Sequence, residues 1–284
     1  MLHTVNSFDD SEIMDLYASE EHTDDNEDIP VLTGNETDQN LLDYMVLVIC
    51  RRLQYKKAFK GGYLLNQLLE GDSRMTKDID FSIDDKAGYE QVKAILCEIG
   101  EKFKQVDLIE EYRVKETITE TSSGGVDFYD KTGKKVLGID VGLHSLSWDI
   151  TSYDFKFTEA EGFEVERMLA DKTIAILSRK RFRRTKDLYD FYILTNNFDV
   201  DLRKVKEFID LRGNAEWDNI PFNEDIIREY QRAWDKLNLQ TINGEALNRP
   251  EFMLAIQRFY TFVLPMKKGL DSNLKWDCTN MRIV

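Results

Sequence analysis

Two aspartates separated by one residue, Asp78 and Asp80, lie in a short segment with the pattern of a β-strand. Successive side chains of a strand point to opposite faces, so both carboxylates share one face while Ile79 and Phe81 are buried on the other. Like charges this close repel each other unless a cation lies between them, and a divalent ion with oxygen ligands suits that place. The pattern predicts a Mg²⁺ site, and the alternative is a solvated strand face with two unrelated acids.

A glycine pair, Gly61 and Gly62, opens a predicted short helix upstream of Asp78. Glycine lets the backbone come close to a phosphate, and the free amides at the start of a helix favour an anion. Polyphosphate chemistry needs such a cradle beside a metal held by carboxylates, so the order of the two features predicts that they act together. The alternative is a tight turn without a ligand.

A third carboxylate, Asp140, lies in the apolar, β-branched run of residues 136–143, which predicts a largely buried strand. An ionised aspartate is costly to bury without a partner, and a metal ion is one such partner. We therefore expect Asp140 to complete a two-metal site. The alternative is an aspartate at a strand end that accepts a hydrogen bond from a nearby turn.

Basic residues are concentrated after a predicted amphipathic helix that carries Lys172. Such a cluster in an acidic chain favours a polyanion, either a triphosphate or a nucleic-acid backbone, and the alternative is a solvated basic turn. Asp187 and Asp190 are three residues apart on one face of the following helix, from which they can reach a cation of the preceding helix. The cluster comprises Arg179, Lys180, Arg181, Arg183, Arg184 and Lys186.

These segments together resemble the AbiEii-type nucleotidyltransferases, bacterial abortive-infection and toxin proteins with the fold of the DNA polymerase beta-like nucleotidyltransferases. Residues 59–65 resemble the family's Lys-Gly-Gly opening, and residues 74–81 resemble its Arg-x-Ser-x-Asp-Ile-Asp-Phe motif with Thr76 in the serine position. Residues 169–175 are similar to its Leu-Ala-x-Lys segment. Residues 186–190 are similar to its Arg-Asp-x-Tyr-Asp motif, with Lys186 where arginine is usual. Lysine keeps the charge there but lacks the planar guanidinium fork.

The resemblance implies an α+β fold, with a mixed nucleotidyltransferase sheet and flanking helices followed by a C-terminal helical domain. It also implies transfer of a nucleotide from an NTP to an acceptor hydroxyl. In relatives the acceptor can be the 3′ end of tRNA, and a cognate antitoxin is a further expected partner. Two alternatives are a nucleotidyltransferase that acts on a small molecule or protein, and a non-catalytic nucleotide-binding protein.

The resemblance and the chemistry of the residues together assign their expected roles. Asp78, Asp80 and Asp140 are the expected Mg²⁺ ligands, and Asp140 could also take the proton of the attacking hydroxyl. Lys172 is expected to neutralise the triphosphate, and Asp187 either holds Lys172 or assists proton transfer. The remaining residues expected to bind the NTP are Lys60, Gly61, Gly62, Arg74 and Thr76.

The chain has 284 residues, of which 42% are apolar and 32% charged, the composition of an ordinary globular protein. No stretch approaches the roughly 20 apolar residues that span a bilayer, and the N-terminus lacks the pattern of a secretory signal, so we expect a cytoplasmic protein. The net charge of −15 is unevenly distributed, because residues 1–38 carry twelve acids and no lysine or arginine. These residues are expected to form a solvated acidic extension.

The predicted domains are the acidic extension 1–38, a catalytic domain 39–165 and a helical domain 166–284. Within the catalytic domain we expect helices at 39–57 and 86–103 and a hairpin turn at 130–133. Strands are expected near 106–121, 125–129, 135–143 and 153–157. Helices predicted for the C-terminal domain cover 166–178, 186–196, 201–212, 223–237 and 249–263.

Overall fold

The structure, a computed structural model, describes residues 29–34, 36–69, 73–116, 123–143, 146, 150–178, 184–213, 215–241, 244–269 and 274–284. Most of the acidic extension and four members of the basic cluster lie outside these residues. The elements of the first half of the chain are α1 (Asp38–Arg52), β1 (Lys57–Lys60), α2 (Gly61–Leu68), β2 (Asp78–Ile83), α3 (Lys86–Gln105), β3 (Glu111–Glu116), β4 (Ser123–Tyr129) and β5 (Lys135–Leu143).

The second half begins with two strands and is then mainly helical. Its elements are β6 (Ile150–Phe155), β7 (Thr158–Phe163), α4 (Val165–Leu177), α5 (Thr185–Asn197), β8 (Val200–Asp201), α6 (Leu202–Arg212), α7 (Glu224–Asp235), α8 (Phe252–Lys268), β9 (Lys275–Asp277) and β10 (Arg282–Ile283). A single 3₁₀ turn, Trp217–Asn219, precedes α7.

Seven strands form one mixed sheet in the order β3-β4-β5-β2-β1-β7-β6. Strands β2 and β5 are parallel, as are β1 and β7, whereas β4 is antiparallel to both β3 and β5. The β4–β5 hairpin closes at the predicted turn, where the Gly133 amide donates to the Asp130 carbonyl at 2.9 Å. The parallel β2–β5 pair places two of the predicted aspartates on neighbouring strands.

One face of this sheet is apolar and lies against helices. Ile79 and Phe81 of β2 are fully buried, and α3 packs on β2, β3, β4 and β5. The rings of Phe103 in α3 and Phe128 in β4 are 5.7 Å apart, and Tyr44 of α1 lies 5.9 Å from Phe103. Because side chains alternate along a strand, the residues between these apolar ones project from the opposite face.

The chain divides into two compact units. The first comprises residues 1–58, 77–146 and 152–161, and the second comprises residues 59–76, 147–151 and 162–284. The strands β1 and β7 therefore have their last residues in the second unit. The segment 59–76, predicted within the catalytic domain, belongs to the second unit, and the predicted domain boundaries stay a prediction.

The second unit is built mainly from helices around an aromatic core. Helix α4 packs on α5 and α6, and α5 packs on α7 and α8. The ring of Phe191 in α5 lies 5.2 Å from Phe259 and 5.1 Å from Phe262 in α8, and the buried Trp276 donates its indole N–H to the Thr195 carbonyl at 2.7 Å. Strands β8, β9 and β10 form a small second sheet that the sequence did not predict.

The α+β class, with its mixed sheet, flanking helices and helical C-terminal part, is confirmed. Several boundaries differ from prediction. Helix α1 ends at Arg52, five residues early, and the short strand β1 follows it. The strand predicted near 106–121 begins at Glu111, because the backbone amides of residues 106–108 still donate to carbonyls at the end of α3. No helix among the described residues is long and apolar enough to cross a membrane.

Candidate active site

Three of the predicted aspartates lie on the same face of the sheet in the first unit. Asp80 of β2 is directly opposite Asp140 of β5, and Asp78 is opposite Gly138. Positions 78, 80, 138 and 140 therefore share one face, opposite the buried Ile79. The Asp78 and Asp140 side chains are 44% and 51% exposed, so both carboxylates are accessible to a ligand. The strand pairing brings together the three acids that the sequence predicted as metal ligands.

A fourth acid, Asp127 of β4, lies on the same face and was not predicted. In the β4–β5 pair, Asp127 is opposite Gly138, and Gly125, two residues earlier in β4, is opposite Asp140. The signal was present in the sequence: once the turn at 130–133 pairs β4 with β5, alternation within β4 places Asp127 next to the predicted site. Its side chain is 15% exposed, much less than Asp78 or Asp140.

Two lysines, which the sequence analysis also missed, form ion pairs with these carboxylates. The Lys115 ammonium of β3 donates to Asp140 at 2.6 Å and to Asp127 at 2.9 Å. The Lys135 ammonium of β5 lies 2.7 Å from both Asp78 and Asp127. Each ammonium therefore bridges two carboxylates, and Asp127 is the carboxylate that both lysines share.

The pKa values of Asp127, Lys135 and Lys115 shift in the direction that keeps these three groups charged. Burial alone would raise the pKa of Asp127, but hydrogen bonds from Lys135 and Lys115 outweigh it and hold the pKa below its usual range. Burial would lower the pKa of Lys135, yet contacts with Asp127 and Asp78 raise it. The same balance, with Asp140 and Asp127 as the partners, raises the pKa of Lys115.

The donor set on this face fits a hard divalent cation. Carboxylate oxygens are the ligands that Mg²⁺ prefers, and this face already attracts cationic groups, since Lys115 and Lys135 lie within 2.9 Å of its carboxylates. Among the residues that the structure describes, no three acidic, histidine or cysteine side chains converge as a metal cage. Asp78, Asp80 and Asp140 would hold the ion, and it would replace the lysine contacts to Asp78 and Asp140.

A buried network of charges in the second unit contains Lys172 and Asp187. The Lys172 ammonium donates to Asp187 and to Asp190 at 2.7 Å each. Arg74 binds the same Asp190 through two guanidinium nitrogens, at 2.7 and 2.9 Å. Asp190 is fully buried, and bidentate pairs of this kind are the strong, geometrically defined ones. The expectation that Asp187 and Asp190 reach a cation of the preceding helix is confirmed.

The contacts within this network keep Asp190 and Lys172 ionised inside the protein. Burial would raise the pKa of Asp190, but Arg74 and Lys172 outweigh it and lower the pKa to about 2. Burial would lower the pKa of Lys172, whereas the carboxylates of Asp190 and Asp187 raise it. Of the two jobs that the sequence left open for Asp187, its contact with Lys172 supports holding that lysine in place.

The glycine pair opens α2 as predicted, within the second unit. Gly61 has φ +71°, a left-handed conformation that residues with a Cβ adopt at a cost. A Cβ on Gly62 would lie 3.2 Å from Thr76 and 3.3 Å from a guanidinium nitrogen of Arg74. Three of the residues predicted to bind the NTP, Gly62, Arg74 and Thr76, are therefore neighbours, and glycine is what lets them approach.

The segment around Arg74 is anchored on both sides. The Ser73 hydroxyl donates to the side-chain amide oxygen of Asn66 in α2, and the Met75 backbone amide donates to the Gln240 backbone carbonyl at 2.6 Å. Lys60, the residue before α2, places its ammonium 5.6 Å from the centre of the Phe163 ring. Arg74 and Thr76 are buried, so their positions are set by packing as well as by hydrogen bonds.

Part of the basic cluster is described. Arg184 and Lys186 are both exposed, and the Arg184 guanidinium lies 3.8 Å from Asp187. The prediction for Arg179, Lys180, Arg181 and Arg183 lies outside the described residues. The described part therefore adds one cation next to the carboxylate that holds Lys172.

Comparison with known proteins gives a family match. The model of the family described as nucleotidyl transferase AbiEii toxin, type IV toxin–antitoxin system, matches residues 49–268. The matched range contains every residue that the sequence predicted for the site. The comparison with curated proteins gives no match.

Several solved structures are similar to the chain at low identity. A candidate nucleotidyltransferase from H. pylori is 14% identical with a TM-score of 0.48, over 81% of this chain and 93% of that one. The antibiotic-resistance factor ANT(2'')-Ia is 11% identical with a TM-score of 0.43, over 62% and 93% of the two chains. The lincosamide antibiotic adenylyltransferase LnuA, bound to lincomycin, is 14% identical with a TM-score of 0.38, over 55% and 99%. With identities and TM-scores this low, the assignment rests on the family match.

Proposed function

The chain belongs to the AbiEii family of nucleotidyl transferase toxins of type IV toxin–antitoxin systems, and we propose that it moves a nucleotide from an NTP onto an acceptor hydroxyl. The observation that carries this proposal is the register of β2 and β5, which sets Asp80 directly opposite Asp140 with Asp78 on the same face. Carboxylates on adjacent strands are the donor set that metal-assisted phosphoryl chemistry uses.

In this proposal Asp78, Asp80 and Asp140 hold the divalent ions. Bound Mg²⁺ would neutralise charge on the triphosphate and favour ionisation of the acceptor hydroxyl. Asp140 would take the hydroxyl proton, since its half-exposed carboxylate can reach a group outside the protein. The hydroxyl oxygen then bonds to the α-phosphorus, the bond from that phosphorus to the bridging oxygen breaks, and pyrophosphate leaves with the electron pair.

The second unit would bind the NTP through its phosphates. The helix start at Gly61 and Gly62 offers backbone amides to an anion. Lysine has three N–H donors. Two of those on Lys172 go to Asp187 and Asp190, so one is left, among the described contacts, for a phosphate oxygen. Lys60 and Thr76 would bind at the same helix start, and Arg74 would hold Thr76 and Asp190 in position.

We propose a toxin whose acceptor is an RNA, such as the 3′ end of tRNA, and whose activity is opposed by a cognate antitoxin. This rests on the family, and the cytoplasmic location and phage-defence role expected from the sequence belong to the same proposal. The charge of the chain bears on the acceptor. An acidic protein surface repels the phosphate backbone, so a large contact area with RNA would add little binding free energy. A small contact surface at one end of the RNA is therefore favoured.

An acceptor screen tests the proposal. The protein is incubated with Mg²⁺ and each α-³²P-labelled NTP in turn, and total RNA, total protein or a small-molecule extract is added as acceptor. We expect label in the RNA fraction, lost when EDTA removes the divalent ions. Label in the protein or small-molecule fraction would show that the acceptor is a protein or a small molecule and not an RNA. No label in any fraction, with a stable NTP complex, would indicate a non-catalytic nucleotide-binding protein.

A further inference from the structure

Five side chains of alternating charge form a row across four strands of the exposed sheet face. The ion pairs link Asp140 to Lys115 at 2.6 Å, Lys115 to Asp127 at 2.9 Å, Asp127 to Lys135 at 2.7 Å and Lys135 to Asp78 at 2.7 Å. Only the two ends of this row, Asp78 and Asp140, belong to the proposed metal ligands. The three central residues therefore need a separate explanation.

The two ends of the row exchange their partners more readily than its centre. The Asp78 and Asp140 side chains are 44% and 51% exposed, although the Asp78 oxygen that Lys135 contacts is itself buried, and exposed ion pairs contribute little to stability. A divalent ion would therefore displace an ammonium from these carboxylates, most readily from the half-exposed Asp140. Asp127 is only 15% exposed and lies outside the proposed metal set, so its contacts with Lys115 and Lys135 remain.

The displaced lysines would then have donors directed to the substrate side of the sheet. Each ammonium has three N–H donors, and one stays with Asp127. The four carboxylates and two ammonium groups of this face sum to a charge of −2, which two divalent ions would change to +2. Without the lysines the loaded face would be neutral. The lysine pair is thus what makes the loaded face attractive to a polyanion.

On the basis of the proposed function, we propose that Lys115 and Lys135 bind phosphate oxygens of the reacting substrates, and that Asp127 is the positioning residue of both. The phosphates are those of the NTP or those next to the acceptor hydroxyl. Lys115 contacts Asp140, the residue proposed to take the hydroxyl proton, so it lies at the reacting end of the acceptor.

Gly138 supplies independent support, because it provides the space in which Lys135 lies. It is opposite Asp78 on one side and opposite Asp127 on the other. A Cβ there would approach the Lys135 ammonium nitrogen to 2.5 Å and an Asp127 oxygen to 2.7 Å. Gly138→Ala would therefore displace the Lys135 ammonium without removing any charge. This variant tests the effect of the position of the lysine separately from the effect of its charge.

Equilibrium binding to the full-length protein in the presence of Mg²⁺ tests the proposal. The variants are Lys115→Gln and Lys135→Gln, with Lys115→Arg and Lys135→Arg as conservative partners. The matched control is Lys131→Gln in the β4–β5 turn, where the lysine is exposed and pairs with Asp107 at 3.3 Å. The probes are a labelled NTP, a labelled short oligoribonucleotide and an uncharged ribonucleoside, each measured separately.

We expect each glutamine variant to weaken at least one phosphate-bearing probe about tenfold, since a hydrogen bond to a charged group contributes about 1.5–3 kcal/mol. If the glutamine variants lose affinity for the NTP alone, the lysines bind the nucleotide. If they lose affinity for the oligonucleotide alone, the lysines bind the acceptor. Arginine should restore most of the affinity, and Lys131→Gln and the uncharged probe should show no change. Parental affinity of both glutamine variants for both phosphate-bearing probes would overturn the proposal.

The role of Asp127 is read from kinetics. Asp127→Asn keeps the volume but removes the charge that holds both lysines. We expect the KM for the phosphate-bearing substrate to rise about tenfold with a smaller change in kcat, and Asp127→Glu to restore part of the loss. An unchanged KM in Asp127→Asn would overturn its positioning role.

The two proposals fail in different ways. If no acceptor is labelled by the parental protein, the proposed function fails, whereas the binding measurements still decide whether the lysines contact phosphate. If the parental protein transfers nucleotide and both glutamine variants bind and react as it does, only the lysine proposal fails.

Discussion

Asp190 holds the charge network of the second unit together. It is fully buried and accepts hydrogen bonds from Arg74 and Lys172. Asp190→Asn would remove the carboxylate charge that the buried Arg74 and Lys172 share, and removal of one partner of a buried ion pair costs about 3–5 kcal/mol. Asp187→Asn is the matched control, because among the described residues Asp187 pairs with Lys172 and Arg184 alone and is partly exposed. Denaturant unfolding of both variants measures the difference, and equal stabilities would contradict this account.

The same residue predicts a pH dependence of stability. Its pKa of about 2 in the folded protein lies below the ordinary value of 3.8. A carboxyl with a depressed folded pKa stabilises the fold above the unfolded pKa, and this stabilisation is lost as pH falls towards the folded pKa. Between pH 4 and pH 2 the parental protein should therefore lose more stability than Asp190→Asn. Parallel stability curves over this range would contradict the prediction.

Lys172 has a prediction of its own. Lys172→Met keeps the length of the side chain but removes the donor proposed for the phosphate. We expect the apparent KM for NTP to rise about tenfold, because a charge-assisted hydrogen bond is lost. The variant also leaves Asp187 and Asp190 with one cation fewer, so unfolding is measured in parallel to confirm that the protein is folded. Unchanged KM and kcat would remove Lys172 from the NTP site.

At the residue scale, the sequence predicted Asp78, Asp80 and Asp140 and missed Asp127 and the two lysines. Asp78 and Asp80 are recognisable because they alternate with buried residues, and Asp140 because it interrupts an apolar run. Lys115 and Lys135 show no such pattern, since a lysine in an exposed strand position is ordinary. Their roles depend on a pairing of β3, β4 and β5 that brings Lys115 to Asp127 across the sheet.

Helix α2 is the element on which the proposed phosphate contact depends. Gly61→Ala places a Cβ in a left-handed conformation, with an expected cost of about 1 kcal/mol in the free energy of unfolding. Gly62→Ala has ordinary φ but presses on Thr76 and Arg74. We therefore expect Gly61→Ala to act mainly on stability and Gly62→Ala mainly on the KM for NTP. Thermal unfolding and NTP titration distinguish them, and the reverse assignment would contradict the account.

Among the elements, long helices were predicted more closely than short strands. Helix α3 begins at Lys86 as predicted, where the Asp85 side chain accepts a hydrogen bond from the Ala87 amide. The strand β1 was missed because it has only four residues. The alternation of polar and apolar side chains over so short a stretch cannot be distinguished from the end of a helix. The last helix was predicted from residue 249, but α8 begins at Phe252. In the structure, Pro250 accepts a hydrogen bond from Trp234 through its carbonyl.

At the scale of the whole molecule, the charge is strongly asymmetric. Of the 53 acids, twelve lie in residues 1–38 without a lysine or arginine, so the remaining residues have a charge near −3. A tethered acidic segment has a high effective concentration near any basic surface that it reaches, and it could compete there with a nucleic-acid backbone. The extension is then a candidate autoinhibitor of RNA binding.

Truncation tests this idea without disturbing α1. Removal of residues 1–28 deletes ten of the twelve acids and keeps Thr37, which caps α1. We expect RNA affinity to rise most at low salt, and the gain to shrink as the Debye length falls to roughly 8 Å near physiological ionic strength. NTP affinity should be unchanged. Equal RNA affinity of the truncated and full-length proteins across the salt series would rule the competition out.

The central claim is that the carboxylate face of the sheet performs nucleotide transfer, and the rate of Asp80→Asn tests it most directly. This change keeps the side-chain volume and removes one charge from the proposed metal ligands. Asp84→Asn, in an exposed position just after β2, is the matched control. The assay uses labelled NTP, Mg²⁺ and the acceptor found by the screen. We predict that Asp80→Asn transfers nucleotide at least about a hundredfold more slowly than the parental protein, while Asp84→Asn reacts at the parental rate. A folded Asp80→Asn protein with the parental rate would contradict the account.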